Sequence, residues 1–169
     1  MPSLLSSLGV PKTQANTGQP ASLTVNLVVL SGDVTNNNAV ANTIADVTGL
    51  SFAVTAGSTY WFEFIIPYTA AATTTGSRWA INGPAAPTLL AYRSEYTLTA
   101  TSLTNNSATA YDIPAAASAS SLTSGNIATI WGLINPSSNG TVIARFASEV
   151  SGSAITAKAG ATLRWIQVL

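Results

Sequence analysis

The sequence predicts an all-β chain folded as an antiparallel β-sandwich or jelly roll. Apolar and polar residues alternate at a spacing of two in stretch after stretch. Gly, Asn, Asp and Pro punctuate those stretches at short intervals, and no amphipathic helix of ordinary length is present. A period of two puts one set of side chains on each face of a pleated strand. About eight to ten short strands with turn chemistry between them suit two packed sheets.

Residues 1–20 lack that alternation. Leu4, Leu5 and Leu8 stand at helical spacing, but Pro2, Gly9 and Pro11 bound the stretch. So short a helix is marginal alone. The segment is read as an N-terminal arm that docks its leucines on a neighbour, with a frayed end as the plain alternative. The domain proper is assigned to residues 21–169.

From Ala21 the pattern turns to strand. Leu23, Val25, Leu27 and Val29 share one face, Gly32-Asp33 ends the run, and Asn36-Asn37-Asn38 reads as a loop. A short strand over 43–47 precedes a turn at Thr48-Gly49. Another over 51–55 ends at Ala56-Gly57. Residues 59–68 form the strongest strand, with Tyr60, Phe62, Phe64, Ile66 and Tyr68 on one side and Trp61, Glu63 and Ile65 on the other. Aromatic and β-branched residues at this density favour a pleated strand. Since both faces are mostly apolar, this strand is expected to have core on one side and a neighbouring layer or subunit on the other.

Residues 78–81 read as a short strand closed by Asn82-Gly83-Pro84. Residues 89–103 alternate, with Tyr92, Tyr96 and Leu98 opposite Arg93, Glu95, Thr97 and Thr99, up to a turn at Asn105-Asn106. Residues 108–113 are read as a strand stopped by Pro114, and the Ala/Ser-rich 115–124 as a helical turn or loop. Ile127, Thr129, Trp131 and Leu133 share a face of the strand over 126–134. Pro136 and Asn139-Gly140 then predict a hairpin back into 141–150. Strands over 153–159 and 162–169 finish the chain. In the last, Leu163, Trp165 and Leu169 oppose Thr162, Arg164, Ile166 and Val168.

Composition narrows the function. Only 7% of residues are charged, and six Lys+Arg balance six Asp+Glu, against about 25% charged in an average soluble chain. With no Cys and no His, disulfides, thiolate chemistry, the commonest metal ligands and the usual general base are all missing. The cations are scattered singly, which argues against nucleic acid as a partner. No apolar run reaches the roughly 20 residues of a membrane helix, and no basic stretch precedes an apolar one at the N-terminus. Zero net charge is a solubility liability for a free monomer. It suits a fixed assembly or an extracellular particle. The carboxylates form no paired motif of the kind a glycosidase needs. The expectation is a protein that is not an enzyme and needs no cofactor or metal.

Four tryptophans offer stacking surfaces. Trp61 and Trp131, with Phe62, Phe64, Phe146 and Trp165, are assigned to core or subunit-interface packing. Were a glycan bound, Arg78-Trp79 beside the Thr-rich loop is the best candidate. Arg93 with Glu95, and Arg145 with Glu149, lie on common strand faces and are expected to make cross-strand or inter-subunit ion pairs.

Two phrases, DVTGLSFAVTAGSTYWFEFIIPYTAAATTTGSRWAINGP at 46–84 and LINPSSNGTVIARFASEVSGSAITAKAGATLRW at 133–165, resemble virion proteins of tailed bacteriophages. The likeness is to small ones with trimeric jelly-roll domains of the tumour-necrosis-factor-like sort. It is a likeness of whole pattern, without a catalytic fingerprint. It implies a homotrimeric capsid decoration (cement) protein on the virion surface, with the major capsid protein or another virion protein as partner. A tail- or head-fibre domain that binds the host surface is the alternative. A secreted carbohydrate-binding module is the other.

Overall fold

The computed structural model describes residues 24–99, 101–112 and 121–168. The arm residues Leu4, Leu5 and Leu8, and the segment 113–120, lie outside the described residues. The predicted class holds: the described chain is an antiparallel β-sandwich of eleven strands and no helix.

The strands are β1 (Asn26–Val29), β2 (Val34–Asn36), β3 (Ala45–Val54), β4 (Tyr60–Ala70), β5 (Ser77–Asn82), β6 (Leu89–Thr99), β7 (Ser102–Ala108), β8 (Asn126–Asn135), β9 (Gly140–Ser148), β10 (Ile155–Ala157) and β11 (Thr162–Gln167). Eight form one sheet in the order β1-β11-β4-β8-β6-β7, with β10 bridging β4 to β2. The other three form a small sheet, β3-β9-β5.

The core fills the space between the sheets. From the large sheet come Phe62, Phe64, Ile66, Ile130, Ile134, Tyr96 and Leu163; from the small one come Leu50, Phe52, Trp79, Ile81, Val142 and Phe146. Trp79 stacks on Phe146 with ring centres 5.1 Å apart and meets Tyr68 at 4.9 Å. Offset ring contacts of this kind add to what burial alone supplies. Gly132 lies between Phe62 and Tyr92 in the register. A Cβ there would stand 2.3 Å from the Ala91 carbonyl oxygen and 2.6 Å from Tyr92 Cα. Only glycine lets β6 approach β8 this closely.

Several details correct the sequence reading. The loop 136–139 is not a hairpin: β8 belongs to the large sheet and β9 to the small one, so the chain crosses between layers there. The loop is held to other connections instead, by Gly57 N–H to the Pro136 carbonyl (2.9 Å) and Ala56 N–H to Asn139 Oδ1 (2.9 Å). Asn105-Asn106 is no turn. It lies within β7, opposite Glu95 and Ser94 in the register, and Asn106 Nδ2 donates to the Ser94 carbonyl at 3.3 Å. The chain reverses earlier, between β6 and β7, and residues 109–112 form a turn rather than a strand. Residues 45–54 are one strand with an irregularity between Asp46 and Ser51, where Gly49 adopts φ +94°, a conformation open to glycine at little cost. Asn36 belongs to β2 rather than a loop. It is buried, and Nδ2 donates to the carbonyls of Thr43 (2.9 Å) and Phe146 (3.0 Å).

Candidate interaction surface

The alternation that builds the core has a consequence on its other side. On β4, β8 and β6 every second residue points away from the small sheet, and there large apolar residues alternate with charged and hydroxyl ones. The antiparallel register aligns these residues in rows. One runs Leu27, Arg164, Glu63, Trp131, Arg93, Ser107 from β1 to β7. Beside it lie Ile166, Trp61, Leu133 and Ala91. On its other side lie Val29, Thr162, Ile65, Thr129, Glu95 and Asn105.

No described element packs over this face. Leu27 is 64% exposed, Leu103 63%, Ile127 52%, Trp131 39% and Leu133 38%. Scattered exposed apolar residues are ordinary, but a contiguous set marks an interaction surface. Six strands side by side span roughly 24 Å at about 4.8 Å per step, and a nine-residue register is roughly 30 Å long. That footprint is close to the ~800 Å² per partner of a standard protein interface.

Two arginines lie on the face's tryptophans. Arg93 Cζ is 5.5 Å from the centre of Trp131, and Arg164 Cζ is 5.5 Å from that of Trp61. Arg164 also forms an ion pair with Glu63. Two shallow grooves open here. One, of about 580 Å³, is lined by Trp61, Ala91, Arg93, Ser107, Trp131 and Leu133; the other, of about 420 Å³, by Glu95, Thr97, Leu103, Leu122, Ile127 and Thr129.

The outward side of the small sheet is different. The turn at 109–112 folds against it, with Asp112 N–H donating to the Ile81 carbonyl at 3.0 Å. Asp112 Oδ2 accepts from Arg145 Nη1 at 2.7 Å and from Asn82 Nδ2 at 2.5 Å. Arg145 Nε lies 2.8 Å from Asp46 Oδ1, a charge contact rather than a hydrogen bond. Arg78 pairs with Glu149 at 3.0 Å. Ala80 and Ala147, outward by register, are fully buried beneath this cover.

The structure thus sorts the six aromatic residues singled out in the sequence. Phe62, Phe64 and Phe146 are core. Trp165 is half-buried and stacks on Phe52 at 5.1 Å. Trp61 and Trp131 belong to the open face. Trp79 is fully buried and cannot stack on a sugar, so the Arg78-Trp79 glycan candidate is lost. Glu149 pairs with Arg78, and Arg145 with Asp46 and Asp112, so these ion pairs form within the chain. The face as a unit was not identified from sequence. Its signal was present in the strands that are apolar on both sides.

No protein-family model matches this sequence, and no curated protein does. A solved structure of infectious bursal disease virus, Gx strain, aligns over 88% of this chain at 11% identity and a TM-score of 0.30. The alignment covers 37% of that chain, so this one spans little more than a third of the length of the chain it matches.

Proposed function

We propose that this chain is a non-catalytic structural subunit of a virion, and that it self-associates through the outward face of the eight-stranded sheet. The observation that carries the self-association is that face: broad, with exposed Leu27, Ile127, Trp131 and Leu133 and no described element over it, where the opposite side of the sandwich is covered by a turn and bridged by Arg145. In a closed assembly, like chains shield one another's apolar faces and sheet edges. The bacteriophage decoration role, as a homotrimer seated on the capsid surface, rests on the resemblance of residues 46–84 and 133–165 to virion proteins of tailed phages. Such a subunit binds the assembled shell and not its free components, so it stabilises the shell by mass action.

Adding the purified protein to shells stripped of it, followed by electron cryo-microscopy, tests this reading. We expect a fixed copy number at defined positions and shells that withstand higher temperature. Particles that never acquire the protein would refute the decoration role. The outward pair of half-buried Trp61 and exposed Trp131 favours one second reading, a fibre or carbohydrate-binding domain that stacks sugar rings on this face. A glycan array that saturates with monomeric protein would favour it.

A further inference from the structure

We propose that Arg93 and Glu95 form a self-complementary charge couple through which one copy of this chain recognises a second copy and sets its register on the outward face. The inference rests on the self-association proposed above and names how it is directed.

The chain carries very few charges, and nearly all are neutralised internally. Arg78 pairs with Glu149, Arg145 with Asp46 and Asp112, Lys158 with Asp33, and Arg164 with Glu63. Among the described residues, Arg93 and Glu95 alone have no ion partner. They stand two apart on β6 and so face the same way, outward from the large sheet, Arg93 beside Trp131 and Glu95 beside Thr129 and Asn105. Both are half-buried. Arg93 rests on the Trp131 ring, a contact that fixes the guanidinium without using its hydrogen-bond donors. Arg93 lines one groove of the face and Glu95 the other.

Opposite charges two residues apart on one strand face have a direction. A second copy in the complementary register sets its Glu95 against Arg93 and its Arg93 against Glu95. A two-fold contact makes both pairs at once; a ring makes one at each junction. Slippage by one pleat repeat sets Arg93 against Arg93, and like charges in an apolar contact are strongly disfavoured. Apolar area then supplies the attraction, and the couple selects one alignment.

Sedimentation velocity on the full chain tests this with Arg93→Glu, Glu95→Arg, the double variant and Leu133→Asp, each checked for native circular dichroism. We expect the wild type to associate and each single reversal to weaken association at least about tenfold. The double reversal should restore it, and a mixture of the two single variants should associate better than either alone. If the wild type and both single reversals associate equally while Leu133→Asp dissociates, the couple is refuted and the face stands. A monomeric wild type, or association that survives Leu133→Asp, refutes both. So does a monomer that binds a glycan through Trp131.

Discussion

The two outward sides of this sandwich are built from strands of similar pattern and end in opposite states. On the small sheet, the outward position of β9 is Arg145, which reaches Asp46 in one direction and Asp112 in the other. A short turn folds down to complete the cover. On the large sheet the equivalent positions hold Trp61, Ile65, Ile127, Trp131 and Leu133, and no described element closes over them. Both sides carry charges, Arg164, Glu63, Arg93 and Glu95 on the large sheet among them, so the difference lies in the cover over the apolar positions. The small sheet is finished within the chain. The large sheet is left in a condition that only another surface resolves.

The comparison can be broken in order of severity. Trp79→Ala removes the ring that joins both layers, and we expect a loss of about 3–5 kcal/mol in chemical denaturation, with both sides of the molecule affected together. Arg145→Ala leaves Asp46 and Asp112 without their shared cation. The expected loss is about 1–2 kcal/mol, with association unchanged, because that side is closed internally. Leu133→Asp should do the reverse: about 0–0.5 kcal/mol of change in the isolated fold, and loss of the oligomer in sedimentation. Equal effects of these two substitutions on stability and assembly would erase the distinction between the sides.

The smallest effects are in pH. The Lys158 ammonium and the Ala159 amide hold the Asp33 carboxyl below its ordinary value of 3.8. A lowered acid contributes stability above its unfolded pKa and loses it as pH falls through the folded one. Asp33→Asn should therefore flatten part of the acid limb below about pH 4 and leave neutral pH untouched. Burial pushes the Tyr111 hydroxyl up to about 12. The neutral phenol is the form the fold favours, so its contribution is complete below about pH 10 and disappears as pH rises toward 12. Thermal melts across both limbs, with Tyr111→Phe as control, read both effects.

Much of the fold was legible because alternation is local. Tyr60 to Tyr68 on β4 and Asn126 to Ile134 on β8 could be assigned to faces from spacing alone. What alternation does not carry is the identity of the neighbouring strand. Pro136 and Asn139-Gly140 serve a hairpin or a crossing between sheets equally well, since both need the chain to reverse direction. The Asn105-Asn106 pair misled for the same reason: its amides suit a turn, but here Asn106 meets a carbonyl across a strand pair. The interaction surface was legible only in outline. Where both faces of a strand are apolar, composition cannot say that Trp79 is inside and Trp131 outside. That depends on which face meets the small sheet. The row from Leu27 to Ser107 depends on the register of six strands and appears only when they are assembled.

The central claim, that like chains cover the outward face of the large sheet, is tested most directly by hydroxyl-radical footprinting across a concentration series. Oxidation of Trp61, Trp131 and Leu133 should fall as concentration rises, while Val40, an exposed loop residue, keeps a constant rate. A rate at Trp131 that stays level with concentration, in step with Val40, would contradict it.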